Sequence, residues 1–303
     1  MATGWGYKST EIIDLTCPTW QCKAEENLPH IPFDRHTNFA VAGVIGDIVL
    51  FCGGEWSGGQ DYYAKCFKLE DKAWKDHVNL ELGRSISGTG NVIINGKLLV
   101  SGGNLGTTPT KLTELVSPDG TIEKVQDLPT GKYAHCIIKI NDSVILITGG
   151  MGGSSRKHTT IYQNIDQGGA TPTGPKLLTK RSGHGCGMIS IKSKDVAFVA
   201  GGEDDNGPLK TTEYLVLGDE IPAWKSGPVL SVEVQFARLI PSRNKLSLFS
   251  IGGRDGTTIE KLVCQDTPQS CQWEEIGTQL KFARLGGHVV VSIPATLAQQ
   301  LCN

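Results

Sequence analysis

Val144-Ile145-Leu146-Ile147-Thr148-Gly149-Gly150 is a short, β-branched apolar run that ends on two glycines. A run of that length, bounded by Asn and Asp on one side and Gly-Gly on the other, reads as a strand rather than a helix. The same construction appears four more times: Gly53-Gly54 after IVLFC, Gly102-Gly103 after LLVS, Gly201-Gly202 after VAFVA and Gly252-Gly253 after LSLFSI. The steps between doublets are 49, 47, 52 and 51 residues. A period that regular means one supersecondary unit repeated along the chain. No helical pattern follows any doublet, so the glycines are read as structural rather than as a phosphate cradle. They allow a backbone geometry that a Cβ would block and let neighbouring units approach closely.

Other motifs keep phase with the doublets. Upstream of four of them stand Asp34-Arg35-His36, Gly83-Arg84-Ser85, Gly131-Lys132-Tyr133 and Lys180-Arg181-Ser182. Downstream comes a Thr/Glu/Tyr-rich segment such as Thr211-Thr212-Glu213-Tyr214, then Trp74, Ile122, Trp224 or Trp273. Ile94-Asn95-Gly96-Lys97 and Ile140-Asn141-Asp142-Ser143 are expected to supply the positive-φ residues of tight hairpins. The order basic residue, Gly-Gly, Tyr, Trp resembles the Kelch repeat family over nearly the whole chain. That resemblance implies an all-β fold in which each unit is one four-stranded propeller blade.

The 303 residues divided by this period ask for six blades, yet only five doublets are present. Thr10–Leu28 looks like the outer half of a blade, and Arg284–Val291 looks like the inner strand that opens one. The expected fold is therefore a six-bladed Kelch β-propeller forming one domain over residues 1–303. A composite blade of N-terminal and C-terminal strands closes it and removes free sheet edges. The 38 glycines and 14 prolines suit many short strands and turns.

A formal charge of −2 with interspersed signs gives no reason to expect a nucleic-acid partner. No apolar run is long enough to insert into a membrane. The nine cysteines carry more information. Cys17 with Cys22, and Cys264 with Cys271, bracket turns at related places and are expected to form cross-hairpin disulfides. Cys302 could staple the composite blade to Cys17 or Cys22, while Cys52 and Cys66 flank the loop after the first doublet. Disulfides point to a secreted protein. The start Met1-Ala2-Thr3-Gly4 lacks a signal-peptide pattern and keeps a cytoplasmic location as the alternative. Asn141-Asp142-Ser143 is an N-glycosylation sequon in a turn.

In the Kelch family ligands meet one face of the ring, around the channel mouth. Carried onto this chain, the positions after the doublets are Glu55, Asn104, Met151, Glu203 and Arg254. The positions after the basic residue are His36, Ser85, Tyr133 and Ser182, with Leu285 in the composite blade, and Asp205, Arg156 and Lys157 lie on the same face. In the fifth unit, counting back from the doublet makes Val232 the basic position and Glu233 the next, with Arg238 as a shifted substitute. Trp56 and Asp204 in the loops complete the expected binding set. The recurring His135, His184 and His288 are read as packing between inner strands rather than as a metal site. No cofactor and no catalytic residue is assigned. Galactose-oxidase-like chemistry fails for lack of paired tyrosines and histidines, and the acid-acid-histidine motif of iron-binding specifier proteins is not matched. The reading is a monomeric, non-enzymatic propeller that presents its channel face to a protein or glycan. A metal-dependent enzyme or specifier-type protein, using acidic and His residues at the mouth, is the alternative.

Overall fold

The computed structural model describes residues 2–4, 7–12, 37–56, 61–86, 92–253, 256–280 and 288–302. Its strands form antiparallel sheets in sequence order, one per repeat. The first blade is Val41–Ile45, Ile48–Cys52, Lys65–Glu70 and Ala73–Asn79. The second is Ile93–Ile94, Lys97–Ser101, Thr113–Val116 and Ile122–Lys124. The third has three strands, Cys136–Lys139, Val144–Thr148 and Thr160–Asn164. Its outer edge keeps only a bridge from Ile161 to Thr173, in a Pro-containing stretch that cannot donate a full ladder. The fourth is Gly185–Ile191, Lys194–Ala200, Thr212–Val216 and Lys225–Ser226, and the fifth is Arg238–Pro241, Leu248–Ile251, Ile259–Val263 and Gln272–Glu275. The architecture is an all-β propeller.

The blade count departs from the expected six: five repeat blades are present. The termini meet in a smaller, three-stranded sheet, in which Ala2–Gly4 pairs with Tyr7–Glu11 on one side and with Val289–Val290 on the other. Among the described residues the N-terminal segment thus supplies two strands and the C-terminal segment one; most of Thr10–Leu28 and the first half of Arg284–Val291, expected to complete this blade, lie outside them. A C-terminal helix, Ala295–Cys302, follows.

Hydrophobic clusters fill the seams between neighbouring sheets. One joins Leu50, Leu98 and Val116 of the first two blades, and another joins Leu146, Val199 and Trp224 of the third and fourth. Val289, Leu297 and Leu301 pack with Phe51 and Phe67 of the first blade, while Val290 packs with Phe249 and Ile251 of the fifth. Trp224 and Trp273 each donate their indole N–H across a seam, to Thr160 Oγ1 at 2.9 Å and Thr212 Oγ1 at 3.1 Å.

The doublets are seam residues too. The N–H of the second glycine donates to the next unit at Arg84 O, Lys132 O, Arg181 O and Val234 O, over 2.7–2.9 Å. Gly149 and Gly150 both have positive φ. A Cβ on Gly149 would stand 2.5 Å from Arg181 O and 2.6 Å from the His184 ring. His135 and His288 lie in the same way against Gly102 and Gly252, so these histidines pack against the preceding doublet.

Burial holds the His135 and His184 imidazoles neutral. The His135 pKa falls from 6.5 to about 3, through desolvation and the nearby Lys132 charge. That of His184 is driven well below 6.5, by desolvation first and the Arg181 charge next. The unfolded chain takes up these protons near pH 6.5 and the folded chain does not, so stability is fully present above that pH and is lost as pH falls toward 3. At pH 4.5 His135 alone should cost about 3 kcal/mol. Urea unfolding at pH 7 and pH 4.5 checks this, with a smaller drop expected for H135L; an equal drop would assign the acid sensitivity elsewhere.

Among the described residues three disulfides are formed. Cys264–Cys271 is the expected hairpin bridge. Cys52–Cys66 links directly paired strand residues, at the register where the second blade places a Ser101–Thr113 hydroxyl hydrogen bond of 2.9 Å. Cys136–Cys186 joins the inner strands of the third and fourth blades. The expected Cys17–Cys22 bridge and the side chain of Cys302 lie outside the described residues. Three disulfides suit an oxidising environment.

The two predicted turns differ. Asn95 and Gly96 have φ of 47° and 71°, as a two-residue hairpin needs. Asn141 and Asp142 do not adopt positive φ. There the Asn141 Oδ1 accepts from the N–H groups of Ser143 and Val144, each at 2.8 Å, and this side-chain turn replaces the left-handed one.

Candidate functional site: the loop face

After each doublet the chain makes a small hairpin beside the residue that follows the basic position. Ser85 bridges Asn104, Tyr133 bridges Met151 and Ser182 bridges Glu203. Asn104 pairs onward to Pro109, Met151 to Arg156 and Glu203 to Pro208. The three pairs stand at equivalent places in successive units.

The spacing argument misplaces two units. In the first, Glu55 pairs with Asn38, not His36, and Thr37 pairs with Trp56. Positive φ at Phe39 (54°), Ala134 (51°), Gly183 (60°) and Phe236 (58°) marks the same ring position, so Thr37 occupies the basic position. His36 lies outside the described residues. In the fifth unit the doublet contact identifies Val234 as the counterpart of Arg84 and Arg181, so Gln235, not Glu233, is the next residue. Arg238 is not its substitute, since its Nε donates to His288 O at 2.6 Å. Desolvation lowers the Arg238 pKa to about 10.

Five side chains from three blades converge. Arg156 binds Glu203 at 2.7 Å and Asp205 at 3.3 Å. Gln235 donates to Glu203 Oε2 at 2.8 Å. Tyr133 Oη donates to Gly153 O at 3.4 Å, and burial with the nearby Glu203 charge raises its pKa against the opposing effect of Arg156. Gln235 is the residue that sequence reasoning missed. Sequence places Arg156 among the basic residues of this face, but its pairing with Glu203 follows only from the hairpin that folds it back over Met151.

The other expected residues play varied parts. Ser85 and Ser182 are buried. Glu55 is half-buried, and desolvation raises its pKa despite a hydrogen bond with Ser85. Asp204 caps its own turn, accepting from Asn206 N at 2.7 Å and Gly207 N at 3.1 Å. Asn104 and Met151 are half-buried, and Glu233 is exposed. The Trp56 side chain and Arg254 lie outside the described residues. Phe39 and Phe236 meet edge to face with ring centroids 5.0 Å apart, which joins the first and fifth blades directly. Among the described residues no group of three or more His, Cys, Asp or Glu is assembled to hold a metal, and no helix is long and apolar enough to cross a membrane.

No protein-family model matches the chain. Among curated proteins, Adagio-like protein 3 of Oryza sativa subsp. japonica is 27% identical over 200 residues, which is 60% of this chain and 31% of that protein. The chain thus spans less than a third of that relative's length. Among solved structures, the Structure of YjhT aligns with a TM-score of 0.65 at 13% identity, over 78% of this chain and 84% of that one. At that identity the likeness speaks for the fold alone, and the fold it shares is the β-propeller.

Proposed function

We propose that this chain is a non-enzymatic binding module of Kelch type that presents its loop face to a protein or glycan partner outside the cell. The convergence of Tyr133, Arg156, Glu203 and Gln235 from three successive blades carries this reading. Strands are committed to packing, so recognition falls to the loops that the ring gathers on one side. The three disulfides support secretion. Pairing of Ala2–Gly4 with Val289–Val290, and the packing of that strand against both the first and the fifth blade, support a single closed domain with the terminal sheet as the sixth member of the ring. In the alternative metal-binding reading, Glu203 and Asp205 would have to release Arg156, and Asp204 its turn.

Glycan-array and surface-display screening of the secreted chain would supply a partner, against which Y133A, R156A and E203A are then measured. Affinity should fall by about 1–2 kcal/mol at one or two of these positions with unchanged melting temperature. Loss confined to variants of the opposite turns, such as Asn95 or Lys245, would reverse the face. In the same assay a chain lacking residues 1–29 should lose cooperative unfolding; an unchanged melting transition would reject closure by the terminal sheet.

A further inference from the structure

The second, fourth and fifth blades share a buried carboxylate at one register, and only two of them answer it with an arginine. Glu114 accepts from Glu81 N at 3.0 Å and from Arg84 Nη2 at 2.7 Å. Glu213 accepts from the N–H groups of Leu178 and Thr179 and from Arg181 Nη2 at 2.7 Å. Arg181 completes its bonding on Gly201 O at 2.8 Å, Thr211 O at 3.1 Å and Thr211 Oγ1 at 3.1 Å. In the fifth blade Glu260 is only 2% exposed and accepts from Ser231 N at 2.9 Å, the same backbone contact. The residue at the arginine position is Val234.

What remains is a cavity of about 270 Å³. Its lining includes Glu260, Gly252 and Thr258, the counterparts of Glu213, Gly201 and Thr211. Each acceptor that Arg181 uses therefore has an equivalent around this space. Glu233, exposed to solvent, also lines it. Among the described residues neither Glu233 nor Glu260 has an ion-pair partner.

We propose that this cavity of the fifth blade is a binding site for a guanidinium group, taken from an arginine side chain of a partner polypeptide that docks on the loop face. Planar guanidinium matches a fork of carboxylate and carbonyl acceptors that a compact ammonium cannot span. The blade supplies the socket already shaped, because the same repeat folds around its own arginine elsewhere in the ring. The inference deepens the binding-module reading.

The test uses N-acetyl-arginine methylamide and its citrulline counterpart, titrated by NMR into the whole chain. Because the probe is a small molecule, the result is independent of whether any partner for the loop face is found. The arginine probe should bind saturably, and the citrulline probe about 10-fold more weakly or less, as expected for loss of a charge-assisted pair. E260Q should lose the preference for arginine. V234R should install the missing side chain, raise the melting temperature and abolish probe binding; if V234R fails to fold, E260Q carries the comparison. Absence of saturable binding, equal binding of both probes, or full binding to E260Q would overturn the proposal. Arg254 of this chain lies close in sequence, so binding seen only in R254A would also overturn it, the guanidinium then being the chain's own.

Discussion

Replacing Arg181 by alanine should destabilise the protein by about 3–5 kcal/mol, the range for removing one partner of a buried ion pair. The side chain is fully buried, as is Glu213. Burial lowers the Arg181 pKa, and the Glu213 carboxylate opposes that shift. Without the guanidinium, the carboxylate keeps its two backbone donors but loses its counter-ion, and Gly201 O and Thr211 O lose a donor. The double variant R181L/E213L removes both charges and should be more stable than R181A alone, since the pair itself contributes little beyond satisfying each partner. Denaturant unfolding of the two variants measures the difference at constant m-value. A loss below about 1 kcal/mol for R181A, the level of an exposed pair, would show that the site opens to water and that the pair is not a core element.

The ring was legible because its seams repeat. The doublets recur where each unit must let the next unit's backbone come within 3 Å, and that demand marks the sequence at every turn of the period. Asn95-Gly96 was legible for the same local reason. The register of individual units was not always so. Arg35 stands as far before Gly53 as Arg84 does before Gly102, so spacing selected it. Yet the position is set by a backbone turn at positive φ, which Phe39 adopts, and not by charge. In the fifth unit no basic residue marks the position at all, and the Gly202 contact with Val234 O together with the positive φ of Phe236 reveals it. The pairing of Arg156 was not legible because its partner Glu203 belongs to the next blade, a contact that depends on how two hairpins lean together.

The variation at the basic position shows how a repeat scaffold acquires individuality. In the third blade Lys132 occupies it, but the register that holds Glu114 and Glu213 is Ile161. Its ammonium binds Gly149 O at 3.1 Å and Thr159 Oγ1 at 2.9 Å, and desolvation lowers its pKa to about 8. The fifth blade has the reverse mismatch, a carboxylate without a cation. Packing tolerates both because the backbone seams carry the ring. Side chains released from a structural pair are free to take up another role, and the carboxylate is the one left facing a cavity.

Replacing Cys136 and Cys186 together by serine should cost about 4 kcal/mol, the largest loss among the three bridges. On the chain-entropy account a closed loop of this size, a sequence separation of 50, restrains the unfolded state more than shorter loops do. The Cys52–Cys66 bridge, separated by 14, should contribute about 3 kcal/mol, and Cys264–Cys271, separated by 7, about 2–3 kcal/mol. Position adds to length. Cys136 and Cys186 belong to the hydrophobic cluster that joins the third and fourth blades, whereas the other two bridges each lie within one blade. The two cysteines stand about one repeat apart on neighbouring inner strands, a spacing visible in the sequence. It is recognisable as a bridge only once the repeat is known to place those strands side by side. Peptide mapping without reduction should recover the Cys136–Cys186 pair, and guanidinium unfolding of the three double-serine variants gives the order. If removing Cys264–Cys271 cost more than removing Cys136–Cys186, the stabilisation would come from local hairpin geometry instead, and the tie between blades would hold little of the fold's stability.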